Sequence, residues 1–222
     1  MQKTKIPWAD YTWNPITGCA KISEGCEHCY AHALAGRFNG GDFSVKFHPE
    51  RLSQPEKIKK PSRIFVCSMS DLFHEDIKTK WILEVMNVCA IWKQHTFIIL
   101  TKRPARLREY FSQHSQQFAY GNIWLGVTAE NQKRADERIP ILLTVPVSVN
   151  FVSVEPMLEP VTLKHYIGDT KINWVIAGPE SGPQKRECKR EWIDALAQEC
   201  KQKQVAFFDK RPGAAVREFP IG

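Results

Sequence analysis

Three cysteines lie close together near the start of the chain, Cys19, Cys26 and Cys29, with the spacing Cys-x6-Cys-x2-Cys. Gly18 and Gly25 stand directly before two of them. An x2 pair lets one turn offer two sulfurs to the same metal or cluster, and glycines let the backbone wrap around it. Three chemistries answer to this pattern. A [4Fe–4S] cluster held by three thiolates would leave one iron open to a substrate or cofactor. A zinc ion would need a fourth ligand such as His28 or His32. Three free thiols in a glycine-flanked loop would be exposed to oxidation, the least attractive reading. A zinc ribbon normally shows two Cys-x2-Cys pairs, and the second pair is missing. Of the remaining cysteines, Cys89 and Cys200 fall on apolar helical faces and Cys67 ends an apolar run, so core packing is expected for them. Cys188 is left undecided.

Elements able to position such a loop follow it. Short apolar runs recur at 63–67, 97–100, 123–127, 149–154, 174–177 and 205–208, with a possible short first strand near residues 11–13. They are rich in Val, Ile, Phe or Trp and lack clean polar alternation, as in parallel strands covered on both faces. Helical segments alternate with them. Thr79 reads as an N-cap, ahead of Trp81, Ile82, Val85, Met86, Cys89 and Trp92 at spacings of three and four. Pro104 suits the first turn of a segment through Leu107 and Phe111, and Trp192, Leu196 and Cys200 repeat at intervals of four. The stretch 8–41 reads as neither a strand nor a helix. Alternating strand and helix predict an α/β fold: a single domain over 1–222, a parallel β/α partial or complete barrel, with an open doubly wound sheet as runner-up. Three cysteines before such an array, with no obvious fourth, favour the site-open cluster over zinc.

In parallel β/α folds the chemistry sits at the carboxyl ends of the strands. The polar residues after each run are therefore the candidate site. They are Ser68, Ser70 and Asp71; Thr101, Lys102 and Arg103; Thr128, Glu130 and Asn131; Ser153 and Glu155; Glu180 and Ser181 in the turn Gly178 to Gly182; and Asp209, Lys210 and Arg211. Some of these residue types also cap helices.

The chain has 222 residues, 31 Lys plus Arg against 24 Asp plus Glu, and a formal charge of +7. That balance permits a polyanionic partner without requiring one. No run approaches the roughly 18 apolar residues of a membrane span. The first ten residues carry Lys3 and Lys5 but no apolar signal core, so the expectation is a cytoplasmic protein whose seven cysteines are thiols or metal ligands.

The cysteine loop resembles that of the radical S-adenosylmethionine (radical SAM) enzymes. More closely, the chain resembles a phage-associated family with a three-cysteine motif related to them. The blocks that carry the likeness are Trp13-Asn14-Pro15-Ile16-Thr17-Gly18-Cys19, then Gly25-Cys26 through Cys29-Tyr30-Ala31, and Ser68-Met69-Ser70-Asp71-Leu72-Phe73-His74. Leu125-Gly126-Val127-Thr128-Ala129-Glu130-Asn131, Ser153-Val154-Glu155-Pro156-Met157, Gly178 to Gly182 and Phe207 to Gly213 complete them. The commonest radical SAM motif has a first gap of three residues, whereas this chain has six.

The resemblance implies a cluster-binding loop at 14–41, with Cys19, Cys26 and Cys29 ligating three irons of a [4Fe–4S] cluster. S-adenosyl-L-methionine (SAM) would chelate the fourth iron and yield a 5′-deoxyadenosyl radical. Ser68, Ser70 and Asp71 would then face the SAM amino group, and Thr128, Glu130, Asn131, Ser153 and Glu155 its ribose or the substrate. Lys102, Arg103, Lys210 and Arg211 would meet a substrate carboxylate or phosphate, and Glu180 would also bind the substrate. A modified nucleobase in phage-type DNA hypermodification, altered by isomerisation or rearrangement, is the implied substrate, with a reductant such as flavodoxin or ferredoxin. The competing class is a non-catalytic, zinc-binding nucleic-acid-binding protein. Against it, basic residues are spread along the chain, and neither helix-turn-helix nor zinc-finger spacing appears.

Overall fold

The computed structural model describes residues 1–38, 40–114, 121–168, 172–181 and 184–220. Gly182, part of the turn singled out above, lies outside them. The strands are β1 (Gln2–Lys3), β2 (Tyr11–Trp13), β3 (Ile16–Thr17), β4 (Lys46–Phe47), β5 (Arg63–Val66), β6 (Thr96–Thr101), β7 (Ile123–Thr128), β8 (Val149–Val154), β9 (Ile172–Ala177) and β10 (Ala206–Asp209). The helices are α1 (Tyr30–Phe38), α2 (Thr79–Ile91), α3 (Pro104–His114), α4 (Gln132–Leu142) and α5 (Arg190–Gln202).

One eight-stranded sheet runs in the order β1-β2-β5-β6-β7-β8-β9-β10, parallel throughout except for β1 against β2. The order follows the sequence without the reversal that a doubly wound sheet requires, so the runner-up is excluded. β1 and β10 stand at opposite edges, which makes the barrel partial. A separate hairpin, β3 with β4, brackets the cysteine loop and α1.

Every residue of β7 and β8 is buried, as the continuous apolar runs require of strands covered on both faces. Alternation splits the strand side chains into two apolar clusters. Ile64, Phe97, Ile99, Leu125, Val152 and Val175 pack with the helices, through Val85, Met86, Leu107, Ile139 and Leu196. Phe65, Ile98, Trp124, Phe151, Trp174, Ile176 and Phe208 form the other face, joined by Trp8. Two clusters on opposite faces of one sheet are the signature of a single layered domain.

Two expectations are corrected. The helix expected after a Thr79 cap begins at Thr79 itself, with Lys78 at the cap and no side-chain capping bond. The stretch 8–41, beyond the short strand expected near 11–13 and found as β2, also contains β3 and α1, although its pattern showed no periodicity. The buried residues of α1 include Ala31 and Ala35, side chains too small to leave an apolar signature.

Candidate functional site

Paired register brings the strand tips level: Val66 lies opposite Ile99, Thr101 opposite Val127, Thr128 opposite Ser153, Val154 opposite Ala177, and Ala177 opposite Asp209. The cysteine loop crosses this end of the sheet and is tied to four strand tips. After β5, Ser70 Oγ donates to the Gly18 carbonyl at 2.6 Å and the Gly18 N–H donates to the Met69 carbonyl at 2.9 Å. After β6, the Arg103 guanidinium donates to Cys19 Sγ at 3.7 Å and to the Ala20 carbonyl at 3.2 Å. After β7, Glu130 accepts from the Gly25 N–H at 3.4 Å. After β9, Glu180 meets His28 Nδ1 at 3.0 Å. Gly18 has φ +90°, and a Cβ there would sit 2.0 Å from the Ser44 carbonyl oxygen, so only glycine fits.

Charged side chains outside the loop complete the anchorage. Glu130 is fully buried and pairs with Arg138 of α4 at 2.8 Å, while Arg138 also donates to the Thr128 carbonyl. Burial pushes the Glu130 carboxyl up, but the charges of Arg138 and Lys102 outweigh it and hold the group below its ordinary value. Arg134 grips both carboxylate oxygens of Glu24. Arg186 donates to Glu180, to Glu27 and to the Glu24 carbonyl. Sequence reasoning missed Arg134, Arg138 and Arg186, because only the fold brings them to the loop.

The three thiols are half-buried and differ electrostatically. Burial and the Asp71 charge push Cys19 up to about 11, partly countered by Arg103. At Cys26 burial also pushes upward, but the Lys102 charge and hydrogen bonds from Ile22 and Ser23 bring the thiol below its ordinary value. An all-sulfur donor set on a pinned loop, with cations at its rim, fits a thiolate-held iron–sulfur cluster. Among the described residues no three His, Cys, Asp or Glu side chains, the loop thiols included, converge to hold a single ion. His28 faces Glu180, and the His32 ring packs edge-on against Phe43. Cys67, Cys89 and Cys200 are buried, as core packing requires, and Cys188 is half-buried.

The other candidates divide by what they already hold. Asp71 is buried and accepts from the Phe73, Lys102 and Arg103 donors and from the Thr101 hydroxyl at 2.7–3.1 Å. Asn131 caps α4, its side chain accepting from the Arg134 N–H at 2.9 Å. Arg211 is locked against Asp209 and Asp194. Ser68 pairs with Asn14, and its carbonyl accepts from the Tyr30 hydroxyl at 2.6 Å. Thr128 and Ser153 instead continue the inner-face register of Trp124 and Phe151 toward the mouth, where Ser153 Oγ donates to Glu155 at 3.2 Å. Glu155 forms an ion pair with Lys210. Lys102 makes no side-chain hydrogen bond among the described residues.

Fold and site together define a mostly parallel β/α partial barrel with a three-thiol loop fastened across its mouth. The chain belongs to the DUF5131 family, described as proteins of unknown function, whose model matches residues 3–219. No curated protein matches the sequence. Among solved structures, spore photoproduct lyase complexed with dinucleoside spore photoproduct is similar at TM-score 0.65 and 11% identity, over 94% of this chain and 78% of that one. A variant of that lyase with bound AdoMet and dinucleoside spore photoproduct gives TM-score 0.61 and 11% identity over the same shares. At such identity the likeness is one of fold. Among the described residues no helix is long and apolar enough to cross a membrane.

Proposed function

We propose that the protein is a radical SAM enzyme acting on a modified nucleobase, with Cys19, Cys26 and Cys29 holding a [4Fe–4S] cluster. One observation carries this reading: the three-thiol loop is pinned to four strand tips at the carboxyl end of the parallel sheet. The structural likeness to spore photoproduct lyase, solved with dinucleoside spore photoproduct and, as a variant, with bound AdoMet, supports both the cofactor and the substrate class. When bound, cluster and SAM supply one-electron cleavage of the sulfonium and a 5′-deoxyadenosyl radical. The chain's own residues position and shield. Trp124, Phe151 and Trp174 fill the inner face below the mouth as a buried apolar cluster.

Thr128, Ser153 and Glu155 offer hydrogen-bonding groups at the inner rim for the SAM amino group, its ribose or the substrate. Lys102 and Lys210 are the cations placed to meet a carboxylate or phosphate. Ser70, Asp71, Glu130, Asn131 and Glu180 act by shaping the loop and its supports, while Ser68 holds Asn14 and Tyr30 at the rim. Phage-type DNA hypermodification by isomerisation or rearrangement remains the substrate-level proposal, with flavodoxin or ferredoxin as reductant.

Iron, sulfide and zinc analysis of anaerobically made protein tests the assignment. Brown protein with stoichiometric iron and sulfide is expected. Colourless, zinc-loaded protein would instead support the non-catalytic, nucleic-acid-binding alternative.

A further inference from the structure

Arg103 is 6% exposed and stands where a substrate-binding cation was expected, yet its donors turn toward the cysteine loop and its supports. One terminal nitrogen reaches Cys19 Sγ at 3.7 Å and Asp71 Oδ2 at 3.1 Å. The other donates to the Ala20 carbonyl at 3.2 Å, and Nε faces both Glu75 oxygens at 2.8 Å. The residue is itself held in place: its backbone N–H donates to Thr101 Oγ1 at 2.9 Å, and that hydroxyl donates to Asp71. A planar guanidinium can address these directions at once, which an ammonium cannot.

We propose that Arg103 is a positioning residue for Cys19, donating an N–H···S hydrogen bond that orients the ligand sulfur and raises the reduction potential of the bound iron–sulfur cluster. The inference rests on the proposed cluster. Reduction adds one negative charge beside Cys19, close to the buried Asp71 carboxylate. Arg103 lies between the two and offsets that repulsion. Hydrogen bonds to cluster sulfurs and local charge are among the levers that set such potentials. Without Arg103, Asp71 would keep its neutral donors from Thr101, Lys102 and Phe73 but lose the cation that separates it from the sulfur, and the electron would be harder to add.

Full-length wild type, Arg103→Lys, Arg103→Gln and Glu75→Gln would be reconstituted anaerobically with ferrous iron and sulfide. Iron per chain is measured, and the one-electron midpoint potential is read by dithionite titration followed by electron paramagnetic resonance. Iron-loaded Arg103→Lys is expected at a more negative potential than wild type, and Arg103→Gln lower still because it also loses the charge. Glu75→Gln keeps the guanidinium and removes a negative charge, so its potential should move in the positive direction. If Arg103→Gln does not fold, Arg103→Lys and Glu75→Gln carry the test. Fully iron-loaded variants with wild-type potentials would overturn this inference alone. A wild type that takes up no iron and sulfide would overturn the cluster assignment and this inference with it.

Discussion

At the scale of single residues, the seven cysteines separate into two kinds by environment. Cys19, Cys26 and Cys29 share one anchored loop at the mouth, whereas Cys89 is fully buried in the helix-side core. Alanine at any of the three loop positions should remove most of the iron bound after anaerobic reconstitution. Cys89→Ala should keep it, at a stability cost of about 1 kcal/mol for a small core truncation. Iron analysis of the four variants checks this, and equal iron in all of them would refute the ligand assignment. Much of this was legible in the sequence, because cysteine spacing and flanking glycines are local features. The roles of Asp71, Glu130 and Asn131 were not. Each was recognisable as a polar residue at a strand tip, but what it holds depends on partners such as Arg103 and Arg138 that only folding supplies. Asn131 alone left a local trace, since Asn directly before a helical segment is a common N-cap.

At the scale of elements, α4 and the segment after β9 hold the loop from two sides. Arg138 on α4 is the charge partner of the fully buried Glu130. Arg138→Ala leaves that carboxylate uncompensated and should destabilise the fold by about 3–5 kcal/mol in chemical denaturation. On the other side, burial alone would push the Glu180 carboxyl up. Hydrogen bonds from the Arg186 side chain and N–H and from His28 bring it down to about 2. A folded value below the unfolded one means that the stabilisation is complete above the unfolded value of about 4.3 and is lost as pH falls through the folded value. The stability difference between wild type and Glu180→Gln should therefore shrink as pH falls from about 4.5 toward 2. A constant difference across that window, measured by urea denaturation, would contradict the depressed ionisation. Strands β2 and β5 through β10, with α2, α3 and α5, were legible because apolar runs and spacings of three and four survive in the sequence. The helix α1 was hidden by its alanines, and the short β3–β4 hairpin offers only two residues per strand.

At the scale of the whole molecule, the parallel order of β2 and β5 through β10 places their carboxyl ends on one side, and the cysteine loop lies across that side. Strand order was legible only as an alternative between barrel and doubly wound sheet, because apolar runs announce strands but not their neighbours. The uninterrupted order of β5 through β10 resolves it. A three-thiol loop tied to the strand tips makes a chemical claim that one assay reaches directly. Anaerobically reconstituted, dithionite-reduced protein incubated with SAM should release 5′-deoxyadenosine and methionine in equal amounts, slowly and without added substrate, while Cys26→Ala should release neither. Cluster-replete wild type that binds no SAM and forms no 5′-deoxyadenosine would contradict the enzyme assignment and leave a structural or redox cluster.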